Sequence, residues 1–187
     1  DFRALRARLS GSVDDSPQYK TITTQAGLAL VMRRVEAAIA KGETIALDFE
    51  TDSIRATRAR LVGVALAFGG DCGFYIPCGH QNVGTPWTTA DILCALRPVW
   101  THAKVLAHNA KYEMEVLRAH GETITSEFDD SMIMAALLGK ELKGLKPLAL
   151  AECGVRMKSI DTLIGKGKSE ITMVDVPVQD AAPYASA

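Results

Sequence analysis

Much that would announce a specialised protein is missing from this 187-residue chain. No apolar run approaches the roughly 18 residues that a membrane-spanning helix needs, so no membrane partner is expected. The four cysteines, Cys72, Cys78, Cys94 and Cys153, lack the short paired spacings of a zinc site. No positively charged, apolar leader marks a secretory signal, and a reduced, cytoplasmic protein is expected. Aromatic residues make up only 6%, and no low-complexity or repeated segment breaks the sequence. There is no basic excess either: the formal net charge is −1. Bulk charge therefore neither favours nor excludes a polyanionic substrate. An enzyme that gathers carboxylates around a cation must carry acids, and it can hold a polyanion through backbone amides and a few cations. What remains is 48% hydrophobic and 23% charged, enough apolar material for one globular core.

Residues 1–18, with the polar stretch Asp14-Asp15-Ser16-Pro17, read as a linker or tail from an upstream region. Residues 19–187 read as one domain, expected to be incomplete at its C-terminal side because Ala187 falls within a helical pattern. A short edge strand is expected over Tyr19–Thr23. Thr24 then caps a helix over Gln25–Ala40, and Gly42 closes it. Three strands follow at Thr44–Phe49, Leu61–Phe68 and Cys72–Pro77, the last two joined by a Gly69-Gly70-Asp71 hairpin turn. Thr88 or Thr89 starts a helix reaching about Thr101, which Pro98 is expected to shorten or kink. Lys104–Ala107 reads as a buried strand. Asn109 opens a helix to Gly121, and Asp129 or Asp130 caps another to Gly139. Leu145–Cys153 is apolar enough for a packed helix, Gly165-Lys166-Gly167-Lys168 is a basic loop, and a last helix begins at Gln179. The order βββαβα with helices following predicts an α/β fold, a ribonuclease H-like mixed sheet with flanking helices.

The strand Ile45-Ala46-Leu47-Asp48-Phe49-Glu50 is apolar until its end. There Asp48 and Glu50, two positions apart, point to the same side. Like charges so close raise one another's pKa or call for a hard divalent cation with oxygen ligands. The plain alternative is a strand-ending acid followed by a solvated turn acid.

The stretch from Ile45 to Ser53, with Leu61-Val-Gly-Val64 and Tyr75-Ile-Pro77, closely resembles the first motif of the 3′-to-5′ exonuclease (proofreading) domain of the DNA polymerase I family, within the DEDD exonuclease superfamily. Asn109-Ala-Lys-Tyr-Glu113 resembles the second motif, Phe128-Asp129 the helix entry beyond it, and Gly165-Lys-Gly-Lys168 the loop before the third. Four stretches in the right order carry the resemblance from about residue 19 onward.

The resemblance implies two-metal-ion hydrolysis of a phosphodiester at a DNA 3′ end, with Mg²⁺ or Mn²⁺ as the two ions. It makes Asp48, Glu50 and Glu113 metal ligands and catalytic residues, with Asp48 shared by both ions. Tyr184 matches the third-motif Tyr that orients the attacking water. Thr51, Ile54, Asn109 and Tyr112 match positions that hold the terminal nucleotide. Their plainer readings are a turn threonine, a half-buried isoleucine, a helix N-cap and a core aromatic. Lys166 and Lys168 are either phosphate contacts or solvated loop residues. Asp129 reads as an N-cap rather than a further ligand, and His108 as a hydrogen-bonded structural histidine. Two departures stand out. Glu113 occupies a position that is usually Asp, one methylene shorter, and the third-motif Asp would follow Ala187. The implied partners are a single-stranded DNA 3′ end and a polymerase domain in the same parent chain. The alternatives are a catalytically degenerate scaffold of the same fold and a ribonuclease D-like exoribonuclease.

Overall fold

The computed structural model describes residues 18–186 apart from 70, 71 and 82. Most of the expected linker at 1–18 and the tip of the Gly69-Gly70-Asp71 turn lie outside these residues. Strand β1 spans Gln18–Thr21, helix α1 Gln25–Lys41, β2 Thr44–Thr51, β3 Leu61–Phe68 and β4 Cys72–Pro77. Helix α2 covers Thr89–His102, β5 Lys104–Ala107, α3 Ala110–Ala119, β6 Phe128–Asp130 and α4 Ser131–Leu137. Three helices complete the chain: α5 at Leu145–Leu148, continued by a π turn over Ala149–Cys153, α6 at Asp161–Ile164 and α7 at Val178–Ala185.

The strands form one mixed sheet in the order β1-β4-β3-β2-β5-β6. Strands β2, β3 and β4 are antiparallel neighbours, whereas β5 runs parallel to β2 and β6 parallel to β5. This is the ribonuclease H-like α/β arrangement expected from the element order. Alternation along β2 divides its side chains. Ile45, Leu47 and Phe49 enter the main core with α1, α2 and α3, while Ala46, Asp48 and Glu50 take the opposite face. Phe49 meets Trp100 of α2 edge to face, with centroids 6.5 Å apart. The residue between the two acids is thus fixed from the core side.

Helix α1 starts and stops where its residues dictate. Thr24 Oγ1 accepts from the Gly27 amide at 3.1 Å, and Gly42 takes the left-handed conformation at φ 64°. Pro98 neither ends nor shortens α2, which continues to His102. Proline removes one donor, but Val99 and Trp100 just beyond it are fully buried, and their packing holds the last turn in place. The expected helix entry at Phe128-Asp129 is instead the edge strand β6, parallel to β5. Three residues with two acids carry no apolar alternation, so backbone pairing alone makes this strand. Asp130, not Asp129, caps α4, and Asp129 is exposed.

The segment Leu145–Cys153 is not the packed helix expected of it, since none of its residues is buried. Ile133, Leu137, Leu138 and Leu142 are exposed as well. Apolar spacing fixes which face of a helix is greasy but not what covers it. On the carboxylate side of the sheet, a smaller core joins Val62, Ala65 and Tyr75 to Met173, Val176, Ala181 and Ala182. Tyr75 donates to or accepts from His80 Nε2 at 2.7 Å, and His80 Nδ1 pairs with the Val176 carbonyl at 2.9 Å. These bonds tie the segment leading into α7 to the sheet. Among the described residues, no helix is long and apolar enough to cross a membrane.

Tyr75 fits against the sheet because residue 63 has no side chain. A Cβ there would fall 2.1 Å from the Tyr75 hydroxyl. Gly63→Ala is therefore expected to lower unfolding free energy by about 1–3 kcal/mol, as overpacking does. Urea denaturation reads the change, and an unaltered midpoint would show that Tyr75 does not need this space.

Candidate active site

The site is built at the C-terminal end of β2. Asp48 lies opposite Ala65 and Glu50 opposite Gly63 on β3, and the register slips between Glu50 and Thr51. That irregularity releases the strand into a turn. Asp52 closes the turn by accepting from the Arg60 amide at 2.8 Å and from Arg60 Nε at 2.6 Å. The Thr51 and Tyr112 hydroxyls lie within hydrogen-bond reach of each other and of the Ser53 carbonyl, and their two protons are shared among these contacts. Thr51 and Tyr112, expected as nucleotide contacts, thus form a knot that ties the turn to α3. Their hydroxyls are engaged within the protein. Ile54 stands at the tip of this turn, 95% exposed, so the plain reading of it as half-buried is corrected.

Helix α3 brings in the next group. Asn109 holds the N-cap position with φ 68° and ψ 45°, but its side chain makes no capping bond. The cap comes from Asp130, whose carboxylate accepts from the Asn109 and Ala110 amides at 3.0 and 2.9 Å. It also accepts from Met132 N at 2.8 Å, so one acid closes the starts of both α3 and α4. Asparagine is among the few residues that tolerate the left-handed region, and here its amide stays uncommitted and exposed. His108 pairs with Ser131 Oγ at 2.9 Å, a structural role as expected. One turn into α3, Glu113 is 3% exposed.

Helix α7 supplies Tyr184 from the other side. Asp48, Tyr184, Leu145, Lys146 and His108 line one cavity of about 280 Å³. Lys146 Nζ stands 5.1 Å from the centroid of the Tyr184 ring. No sequence pattern pointed to Lys146, because α5 joins the site only through the fold. The basic loop behaves differently: Lys166 is paired with Asp161 at 2.8 Å, and the Lys168 side chain is outside the described set.

Four polar or charged residues are buried among those described, and they divide cleanly. His80 has partners for both ring nitrogens, and Asp130 accepts several amides. Glu50 and Glu113 have no such satisfaction. Glu113 Oε2 is buried with no hydrogen-bond partner. Burial foremost, then the Asp48 charge, pushes Glu113 up to about 8. Burial also raises Asp48 and Glu50 well above the carboxylate range, and Asp48 adds to the push on Glu50. A buried acid without a donor is costly, so this arrangement calls for a compensating charge.

Acid oxygens with no competing donors suit a hard divalent cation. Among the described residues, however, no three His, Cys, Asp or Glu side chains converge to ligand distance. Like-charged carboxylates gain nothing by closing up without a cation between them, so the spread is what electrostatics dictates. The donor chemistry fits the ion, while the ligand geometry is not closed among the described residues.

A family model described as 3′-5′ exonuclease matches residues 19–187. The chain belongs to this exonuclease family. It is 36% identical over 177 residues to a DNA polymerase I from Chloroflexus aurantiacus, covering 92% of this chain and 18% of the relative. It is 30% identical over 177 residues to a DNA polymerase I from Pseudomonas aeruginosa, covering 90% and 19%. The exonuclease chain thus spans about a fifth of the length of these curated relatives. Among solved structures, Escherichia coli RNase D, an exoribonuclease involved in structured RNA processing, aligns with a TM-score of 0.62 at 21% identity, over 91% of this chain and 41% of that one. Brucella melitensis NrnC with bound Mg²⁺ aligns with a TM-score of 0.56 at 16% identity, over 90% and 71%. At these identities the structures establish the fold alone.

The raised carboxyl groups set the pH behaviour of the metal-free exonuclease domain. An acid whose folded pKa is raised adds stability that is full below its unfolded value and is lost as pH rises through the folded one. For Glu113 the window runs from its ordinary 4.5 to about 8. With chelator present, thermal stability is expected to fall across that window, and Glu113→Gln to gain on the order of 2 kcal/mol relative to wild type near its upper end. Identical pH profiles for both proteins would show that Glu113 is not held as a buried, unpaired acid.

Proposed function

We propose that this domain removes nucleotides from the 3′ ends of single-stranded or frayed DNA by divalent-metal-dependent phosphodiester hydrolysis, as the proofreading module of a DNA polymerase I-type protein. The observation that carries the reading is the unbalanced acid cluster of Asp48, Glu50 and Glu113 at the end of β2, inside a matched exonuclease family. These acids would hold two Mg²⁺ or Mn²⁺ ions, which supply an acidified water and neutralise charge on the departing 3′ oxygen. On this reading the protein works in the cytoplasm, and a polymerase domain of the same parent chain delivers the 3′ end.

The remaining roles follow from the side chains. Burial first, then Glu50 and Asp48, push the Tyr184 phenol up to about 12, so it stays protonated at neutral pH. It is suited to orienting a water as hydrogen-bond donor and acceptor, not to deprotonating it. Asn109 offers a free amide to the terminal nucleotide. Ile54 offers an exposed apolar surface that a base covers on binding, a gain of about 1.5–3 kcal/mol if it is fully buried. Thr51 and Tyr112 act by setting the turn that presents Ile54, and the Tyr112 ring lines the approach. Glu113 places its carboxyl one methylene further from α3 than Asp would, and the uncommitted Oε2 gives it freedom to swing toward an ion.

The test is digestion of 3′-labelled single-stranded DNA with Mg²⁺ or Mn²⁺, using a chain extended through the third motif. Asp48→Ala is expected to reduce the rate at least a hundredfold, as loss of a positioned metal ligand does. A rate equal to that of Asp48→Ala in the wild-type protein would support a degenerate scaffold. Preference for a matched RNA 3′ end would shift the assignment to the ribonuclease D-like reading, since the 2′-hydroxyl is the only difference between the two probes.

A further inference from the structure

Lys146 is a cation that the carboxylate chemistry does not use. It lies on α5 and lines the cavity shared with Asp48 and Tyr184. Two nearby lysines are neutralised by direct ion pairs, while Lys143 lies exposed and Lys146 lies against the cavity. Lys140 pairs with Glu152 at 2.7 Å and Lys166 with Asp161 at 2.8 Å. Among the described residues, Lys146 forms no such ion pair. It rests instead on an aromatic face, with Nζ 5.1 Å from the Tyr184 centroid, a contact that holds an ammonium without satisfying its donors.

A lysine meant only to balance the acids would close to ion-pair distance with one of them. Lys146 stands off, yet its charge is felt at Glu50, where it opposes the upward push of burial and Asp48. Lys146 is half-buried, lines the cavity and keeps its Nζ on the Tyr184 ring. The cavity between the aromatic shelf and the acids is therefore positive on one wall and negative on the other. An anion that brings or accompanies divalent ions satisfies both walls, and a phosphodiester is such an anion.

We propose that Lys146 is a substrate-binding residue of this site, an ammonium shelved on the Tyr184 ring that donates to a non-bridging oxygen of the phosphodiester nearest the 3′ end. This rests on the reading of the site as one for nucleic-acid 3′ ends. It also moves the phosphate contact away from Lys166, which its bond to Asp161 already occupies. The Lys146 contact positions the strand by charge and carries no base information, so it should serve every sequence equally.

Binding without catalysis tests this directly. Fluorescence anisotropy of a 3′-ended oligothymidylate is followed in EDTA across a salt series, for wild type, Lys146→Met and Lys146→Arg, with melting temperatures as a check on folding. Lys146→Met keeps the stem and is expected to bind about tenfold more weakly. Its slope of log affinity against log salt should be shallower by about 0.7, the value for one lost phosphate contact on a single strand. Lys146→Arg should keep the wild-type slope. Wild-type affinity and slope in Lys146→Met would overturn the inference while leaving the exonuclease reading intact. Failure of the wild-type chain to bind any 3′-ended strand would remove that reading and the inference with it.

Discussion

Asp48, Glu50 and Glu113 are brought together at the sheet by elements that offer them no side-chain donor and leave Glu113 Oε2 without a partner. The strand brings the first two because its alternation sends Ile45, Leu47 and Phe49 into the core and leaves the acids on the other face. The helix brings the third because Glu113 falls one turn after its start, on the side that faces the sheet. Nothing in the packing requires charge at these positions. The contrast with Asp130 makes the point: that buried acid is surrounded by amides and organises two helices. The cluster at β2 organises nothing by itself, and its cost to the fold is met only when a cation or a proton arrives.

Much of the surrounding structure serves to hold that cluster steady. Trp100 grips Phe49 from below, while Tyr112, Thr51 and Ser53 fasten the turn beyond Glu50 to α3. Tyr75 and His80 tie the approach to α7 to the sheet, which sets Tyr184 over the cavity. These are different interactions on different elements; Phe49, Thr51 and Tyr112 each sit next to one of the acids, and the third tie fixes the segment that leads into Tyr184. A site in which small displacements are expensive needs such support.

The fold was legible wherever local rules and tertiary packing agree. Thr24 and Gly42 bound α1 as their chemistry requires, and β3, β4 and β5 follow their apolar patterns to the residue. The strand β6 was hidden because Phe128-Asp129-Asp130 lacks alternation and is held only by its neighbour's backbone. Leu145–Cys153 misled in the opposite way, since its apolar residues find no cover among the described elements. In the site, the acids could be picked out because a strand period places Asp48 and Glu50 together, whereas Glu113 and Tyr184 needed the family motifs. The freedom of the Asn109 amide was not legible, because an asparagine before a helix normally caps it, and here Asp130, from a distant strand, takes the amides. Lys146 was invisible, since its importance comes from a ring almost forty positions away in the chain.

The central claim is that Asp48, Glu50 and Glu113 form a cation site. Isothermal titration of the metal-free chain with Mn²⁺, in two buffers of different ionisation enthalpy, examines it most directly. The account predicts ion binding that releases protons near neutral pH, because acids with raised pKa values must give them up, and predicts loss of that binding in Asp48→Asn. Absence of binding in wild type, or binding that Asp48→Asn leaves unchanged, would contradict it.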